Sequence, residues 1–324
     1  MPLRIIFCGT PEFALPSLRY LVAQSDFQVA GVVTQPDRPR GRGHATSSSP
    51  VKEAAVAARV SVHQPENIKS DEALEYFNRT APDAVVIIAY GQIIPQRLIE
   101  IPRLGWINLH GSLLPKYRGA APIHRAILNG EMRTGLTTMR IDAGLDTGPT
   151  LLRFETEIGP DETAPELYAR LSEKGAPLVA ETLRGLERGT LVPELQDNSR
   201  ASFAPPLRKA EGRIDWSLPA PQIYNRIRGL EPWPGVFTSF RGKHCAIWGR
   251  PILNSSALPN FTASVAGPAL AHGEILTGGG KVFVACGDGT TLQLEFVQLE
   301  GRKRITAMEF ANGARLKSDD RFGG

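Results

Sequence analysis

Along the first half of the chain, apolar runs of strand length alternate with stretches of helical spacing. Arg4–Cys8 reads as a strand and ends in the turn Gly9-Thr10-Pro11, after which a helical stretch runs from Glu12 to about Gln24. Gln28–Thr34 is a second strand, ending in Gln35-Pro36-Asp37. Ser49 and Pro50 open a helix to about Arg59, with Val51, Ala54, Ala55 and Ala58 at helical spacing. Asp83–Tyr90 is a continuous apolar run, as in a strand buried on both faces of a parallel sheet. Gly105–His110 follows as a strand, Ala121–Leu128 as a helix closed by Asn129-Gly130, and Gly135–Asp142 as a further strand. The alternation predicts a doubly wound, Rossmann-like α/β domain, whose ligand sits beyond the carboxyl ends of the strands.

The second half changes character. Thr163-Ala164-Pro165-Glu166 is a capping-box pattern that starts a helix; Gly175 and Pro177 are expected to break it, with a second helical segment to Arg188. Pro193, Asn198, Ser199, Pro205 and Pro206 make the next stretch irregular. After a short helix near Ala220–Arg228 come the short strands Val236–Arg241, His244–Trp248, Gly273–Leu276, Lys281–Cys286 and Thr291–Gln298, punctuated by turns such as Gly287-Asp288-Gly289. They predict a small β-barrel. The expected organisation is a catalytic domain over 1–189, a linker over 190–209 and a C-terminal domain over 210–324.

Composition narrows this little. A chain of 324 residues, 42% hydrophobic and 22% charged, fits two globular domains. Its longest apolar run, Ala84–Ala89, is far short of the roughly 20 residues that span a bilayer, so no membrane partner is expected. A strand beginning at Arg4 leaves no room for a targeting peptide, and Cys8, Cys245 and Cys286 lack CxxC spacing; a cytoplasmic protein with buried thiols is expected. Charge is more telling. From Arg208 onward there are 15 Lys and Arg against 10 Asp and Glu, whereas the earlier residues carry 22 against 23. The positive excess belongs to the C-terminal part, as suits a partner that is a polyanion, or simply a basic solvated surface.

The densest chemical signal is Asn108-Leu109-His110-Gly111-Ser112-Leu113-Leu114-Pro115, followed by Arg118-Gly119-Ala120. Asn108 and His110 alternate at a strand end, so both side chains face one way. An amide and an imidazole so placed can hold an oxygen that gains negative charge. Asp142-Ala143-Gly144-Leu145-Asp146-Thr147-Gly148 follows a later strand and could bring a carboxylate to His110, favouring a protonated donor. Taken singly, each segment also fits a structural role, His110 as a bonded strand-end residue and the Asp/Gly loop as a turn. Other chemistries fit poorly. Ser112 lacks the GxSxG frame, no HExxH occurs, Gly9-Thr10-Pro11 is not GxGxxG, and no Walker A sequence is present; no metal is expected.

Together these residues resemble the folate-dependent formyltransferase family over nearly the whole chain. The resemblance implies that Asn108, His110 and Asp146 form the transfer site. It also implies that Ser112, Leu113, Leu114 and Pro115 are the folate-binding signature, and that the backbone of Ala89–Pro95 lines the pterin pocket. The formyl donor is then 10-formyltetrahydrofolate. Two features resemble the branch acting on methionyl-tRNA. The arm Thr34–Gly43 has three arginines, suited to a phosphate backbone or base edges, with His44 where Lys is usual. Arg213-Ile214-Asp215-Trp216 and Pro232-Trp233-Pro234-Gly235 match a C-terminal OB-like barrel, with Trp216 and Trp233 as core anchors. Arg40, Arg42 and Lys209 are the tRNA-contact candidates, initiator methionyl-tRNA the expected partner, and a monomer the expected state. The rival readings are a relative formylating a small amine, such as a nucleotide-sugar or glycinamide nucleotide, and an inactive RNA-binding protein. Asp146 is left as either the general base or only the group that orients His110.

Overall fold

A computed structural model describes residues 1–39, 46–252, 270–317 and 320–323. Arg40, Arg42 and His44 lie outside the described residues. The chain divides into two compact units. Met1–Ile123, Met132–Ile158 and Glu166–Pro205 make the first, and His124–Glu131, Gly159–Pro165 and Pro206–Gly324 the second.

The first unit is built on strands β1 (Leu3–Gly9), β2 (Phe27–Val33), β5 (Val62–His63), β6 (Ala84–Ile88), β7 (Trp106–His110), β8 (Arg133–Arg140) and β9 (Thr150–Glu157). A two-residue pair, β3 (Arg38–Pro39) with β4 (Thr46–Ser47), lies apart from this sheet. The sheet order is β5-β2-β1-β6-β7-β8-β9. Its first five strands are parallel, and the order reverses between β1 and β6, the switch point expected of a doubly wound sheet. Ile5, Ile6, Phe7 and Cys8 of β1 and every residue of β6 are buried, which explains why these strands read as unbroken apolar runs. The last two strands were not foreseen as a different kind of pair: β8 runs antiparallel to β7, and β9 antiparallel to β8.

The helices of this part of the chain are α1 (Leu15–Ala23), α2 (Pro50–Ala57), α3 (Asp71–Thr80), α4 (Gln96–Ile99), α5 (Pro122–Leu128) and α6 (Ala164–Glu187). Ser49 caps α2 by accepting from the Lys52 amide, as the Ser-Pro pair suggested. Ser70 caps α3 in the same way, and that helix buries only Ala73 and Phe77, too few apolar positions to stand out in the sequence. The expected break at Gly175 and Pro177 does not occur; α6 runs unbroken for 24 residues. Its side chains Leu167, Leu171, Val179 and Leu183 are fully buried on both sides of Pro177. At about 1.5–3 kcal/mol each, their burial outweighs the roughly 3 kcal/mol that an interior proline costs. Gly175 serves packing instead: a Cβ there would come within 2.4 Å of Leu109 Cδ2 on β7. Among the described residues no helix is long and apolar enough to cross a membrane.

The stretch expected as a linker is partly structured. Glu194 and Thr150 exchange backbone hydrogen bonds of 2.8 Å, and Phe203 bridges to Arg118, with Arg118 N donating to Ser202 O at 2.8 Å and Ala204 N to Arg118 O at 2.7 Å. Residues 194–204 are thus a strap of the first unit, interrupted by one 3₁₀ turn at Asn198–Arg200. Their mostly polar composition, flanked by Pro193 and Pro205, resembles a loop because many of their partners are backbone carbonyls and the Arg118 side chain rather than a core.

The second unit holds β10 (Phe237–Phe240), β11 (Lys243–Pro251), β12 (Ile275–Gly278), β13 (Lys281–Ala285), β14 (Thr291–Leu299) and β15 (Ile305–Thr306), all antiparallel. The order is β10-β11-β14-β13-β12, with β15 on β14. Helices α7 (Ala220–Gly229) and α8 (Ala307–Ala314) complete it, the latter opened by a Thr306/Glu309 capping box. Trp216 is a core anchor, stacked on Phe322 at 5.7 Å with its indole N–H on Thr238 Oγ1 at 3.0 Å. Trp233, expected beside it in the core, is 57% exposed.

One ion pair of this unit has a pH signature. The Arg125 guanidinium holds the Glu211 carboxyl below its ordinary value against the opposing effect of burial, and the Arg208 amide adds to the lowering. A carboxyl whose folded pKa is depressed stabilises the fold above its unfolded pKa, and that contribution is lost as pH falls through the folded value. The stability advantage of the native chain over Glu211→Gln should therefore be full at neutral pH and shrink below about pH 4.5. Urea unfolding of both proteins from pH 6 to pH 3 checks this; a gap that stays constant would show that the charge of Glu211 contributes nothing.

Candidate active site

Strand β7 carries the first two candidates. Asn108 and His110 lie two residues apart on it, so the pleat turns both side chains to one face. Backbone pairing places Asn108 between Ile87 of β6 and Met139 of β8, and sets His110 opposite Thr137. The Asn108 carboxamide is half-buried and has no hydrogen-bond partner among the described residues. Such a group keeps its donor capacity for something else.

His110 is engaged on both ring nitrogens. Nε2 lies 2.8 Å from the Tyr117 carbonyl, which can only accept, so Nε2 carries a hydrogen. Nδ1 faces Asp146 Oδ2 at 3.6 Å. That separation is too long for a good hydrogen bond and short enough for an ion pair if the imidazole is protonated. The two side chains are 6% and 15% exposed, so their attraction is only weakly screened. Asp146 Oδ2 also accepts from the Gly119 amide at 2.8 Å.

Of the two acids in the 142–148 loop, the structure separates the roles. Asp142 accepts from the Gly144 amide and the Thr147 hydroxyl, at 3.0 and 2.8 Å, and so ties the loop to itself. Asp146 turns to His110. Because β8 opposes β7, its carboxyl end at Arg140 pairs with Ile107, on the far side of Asn108 from His110. The loop folds back to bring its acid to the imidazole, and Asp146 takes a left-handed conformation, φ 51°, to do so. For a non-glycine residue this costs about 1–3 kcal/mol, which the surroundings must supply.

The Ser112–Pro115 turn is fastened from below. Ser112 Oγ donates to the Lys116 carbonyl at 2.6 Å, Thr137 Oγ1 donates to the Ser112 carbonyl at 2.7 Å, and Leu114 N donates to Thr137 Oγ1 at 3.1 Å. The Ser112 hydroxyl and the buried Leu114 therefore hold the turn, while Leu113 and Pro115 stay partly exposed. Thr137, which the sequence did not single out, is the residue that fixes it. Further along, Gly119 has φ 120°, and a Cβ there would lie 2.8 Å from the Ala204 carbonyl. The glycine is what lets the strap approach.

Near the switch point, Ala89 and Gly91 both have positive φ, and none of the backbone N–H groups of residues 90–94 is donated within the described part of the chain. The Tyr90 carbonyl accepts from Thr10 Oγ1 and from Gln35 Nε2, each at 3.1 Å. Burial pushes the Cys8 thiol, at the end of β1, well above its ordinary value, so it is no thiolate nucleophile. Lys209 stands exposed at the start of a short 3₁₀ turn, Lys209–Gly212, in the second unit. The structure thus brings Asn108, His110 and Asp146 to one region of the first unit, with Ser112–Pro115 following β7 directly. Tyr117, Gly119 and Thr137 join them unforeseen, and only Arg118-Gly119, noted beside the main motif, had left a trace in the sequence.

Comparison with known proteins agrees with this organisation. Residues 3–183 match the family described as "Formyl transferase", and residues 206–315 match "Formyl transferase, C-terminal domain". The chain is 52% identical over 322 residues to a methionyl-tRNA formyltransferase of Solibacter usitatus, covering 99% of both chains. It is 46% identical over 322 residues to one of Geobacter sulfurreducens, covering 99% of this chain and 97% of that one. Among solved structures, an N-formyltransferase of Helicobacter canadensis, in complex with folinic acid and dTDP-3-aminofucose, superposes with a TM-score of 0.65. That likeness covers 91% of this chain and 99% of the other at 19% identity, and so speaks to the fold alone. The two matched domains and the full-length relatives place this chain in the formyl transferase family, in its group of methionyl-tRNA formyltransferases.

Proposed function

We propose that the chain transfers the formyl group of 10-formyltetrahydrofolate to the α-amino group of initiator methionyl-tRNA, in the bacterial cytoplasm and as a monomer. The observation that carries this reading is the likeness, over the whole length of both chains, to relatives named for that reaction. The site chemistry is consistent with it. An α-amino group has a reference pKa near ~7.7–8.0, so part of it is neutral and nucleophilic at cytoplasmic pH. It attacks the formyl carbon, the carbonyl oxygen gains charge, and the adduct collapses with the bond to the folate nitrogen broken, that nitrogen taking up a proton in exchange for the one the amine loses.

In this mechanism Asn108, with its unspent carboxamide, donates to the developing oxyanion. His110 is the second donor. Its Nε2–H must leave the Tyr117 carbonyl to reach the same oxygen, an adjustment of the kind active-site hydrogen bonds make when substrate binds. Asp146 then faces Nδ1, stabilises the charged imidazole, and takes part in moving the amine's proton. The undonated amides of 90–94 and the fastened turn Ser112–Pro115 are the proposed folate contacts. Arg40, Arg42 and Lys209 are the proposed tRNA contacts.

A turnover assay with labelled 10-formyltetrahydrofolate decides between the readings. Initiator methionyl-tRNA should be formylated with kcat/KM at least roughly tenfold above elongator methionyl-tRNA and any small amine, a difference of about 1.4 kcal/mol in the transition state. Preference for a nucleotide-sugar or glycinamide nucleotide would replace this proposal by the small-amine reading. Binding of the tRNA without transfer would replace it by the inactive RNA-binding one.

A further inference from the structure

Arg118 is only 4% exposed, yet among the described residues no carboxylate pairs with it. A buried guanidinium normally needs a compensating charge or a full set of acceptors. Here its acceptors are amide oxygens: Nε and an Nη donate to Gln196 Oε1 at 3.1 and 2.8 Å, and the same Nη donates to Asn198 Oδ1 at 2.8 Å. The other end of the Gln196 carboxamide is spent too, because Nε2 donates to the Asp146 carbonyl at 2.9 Å and to the Gly148 carbonyl at 2.7 Å. Gln196 therefore joins a buried cation to two backbone carbonyls, on either side of Thr147, at the end of the acid loop.

This arrangement explains the choice of side chain. A carboxamide accepts at one end and donates twice at the other, which no carboxylate can do. It also bears on the conformation of Asp146, whose left-handed backbone aims its carboxylate at His110 and the Gly119 amide. The Gln196 bond to the Asp146 carbonyl holds the backbone of the residue whose side chain faces the imidazole. Arg118 precedes Gly119, so one dipeptide supplies both an anchor for Gln196 and an amide for the acid.

We propose that Gln196, oriented by Arg118, is a positioning residue for the transfer reaction: it holds the 142–148 loop so that Asp146 stays aimed at His110. This rests on the proposed roles of Asp146 and His110 and deepens them. Nothing in the chemistry requires Gln196 to touch either substrate.

Gln196→Glu tests it. The glutamate keeps an acceptor for Arg118, and even gives it a counter-charge, but it loses both donors to the loop. The expected result is a folded protein with a somewhat lowered thermal midpoint, since two loop carbonyls lose their donor, KM for both substrates within about twofold, and kcat lower by roughly 10- to 100-fold, as small misplacements of reacting groups produce. In an Asp146→Asn background the same change should cost less than about twofold, because there is no longer a carboxylate to aim. Gln196→Asn, which keeps the carboxamide but is one methylene too short to reach Arg118 and the loop together, should lower kcat likewise and serves if the glutamate variant does not fold.

Unchanged kcat in a folded Gln196 variant overturns the proposal, and so does a loss that persists undiminished with Asp146→Asn. If Asp146→Asn alone leaves turnover intact, the assignment of the acid is what fails. A collapse of Asp146→Asn beside a silent Gln196→Glu removes only the positioning role.

Discussion

His110→Ala and Asn108→Ala are each expected to lower kcat by roughly 100- to 1000-fold, about 3–4 kcal/mol of transition-state stabilisation. The two positions reach that effect differently. Asn108 has a carboxamide with no partner among the described residues, so its removal leaves no structural group unpaired and should hardly alter folding. His110 is 5% exposed and bonded to the Tyr117 carbonyl, so its removal also leaves that carbonyl unsatisfied and adds a moderate loss of stability. Single-turnover formylation with saturating donor and methionyl-tRNA separates chemistry from binding, and tRNA affinity measured alongside should stay near native. Near-native turnover in either folded variant would mean that the oxyanion is met by other groups. A rise in KM with kcat preserved would make the residue a substrate contact instead.

The second large effect concerns stability. Trp106→Ala should destabilise the first unit by about 3–5 kcal/mol, the usual range for deleting a fully buried aromatic side chain. Trp106 has no exposed surface, lies 5.2 Å from Phe77 between ring centroids, and donates its indole N–H to the Leu98 carbonyl at 2.7 Å. The change opens a cavity and strips a buried acceptor of its partner. Trp106→Phe keeps most of the volume and loses the bond, so about 1–3 kcal/mol is expected for it. Against a typical domain stability of about 5–15 kcal/mol, the alanine loss is large. Urea unfolding followed by circular dichroism measures both variants. An alanine variant within about 1 kcal/mol of native would show that this part of the core yields around the missing ring. Since Trp106 opens the strand that ends in His110, the same variant should lose activity at temperatures where the native chain does not.

Much of the fold was legible because burial leaves a local record. Ile5–Cys8 of β1 and the whole of β6 are surrounded on both faces, so those residues had to be apolar, and both strands could be read from their runs alone. Caps are local as well, and Ser49-Pro50 marked the start of α2. Asn108 and His110 belong to this class: two residues apart in a strand, they share a face whatever the rest of the chain does. α3 leaves little record because it buries so little, and Pro177 signals a break in α6 only as long as the four buried side chains that carry the helix through it are out of view.

What the sequence determined by itself is therefore the alternation of strands and helices, the paired amide and imidazole at the end of β7, and the basic character of the C-terminal part. Tertiary structure alone decided that β8 and β9 turn antiparallel, that Asp146 rather than Asp142 reaches the imidazole, and that residues 194–204 strap the first unit with Gln196 gripping the acid loop. The division follows from range. Periodicity records how deeply each residue is buried, because the hydrophobic effect acts residue by residue, whereas the partner of a backbone carbonyl or a carboxylate is chosen by segments that meet only once the chain has folded.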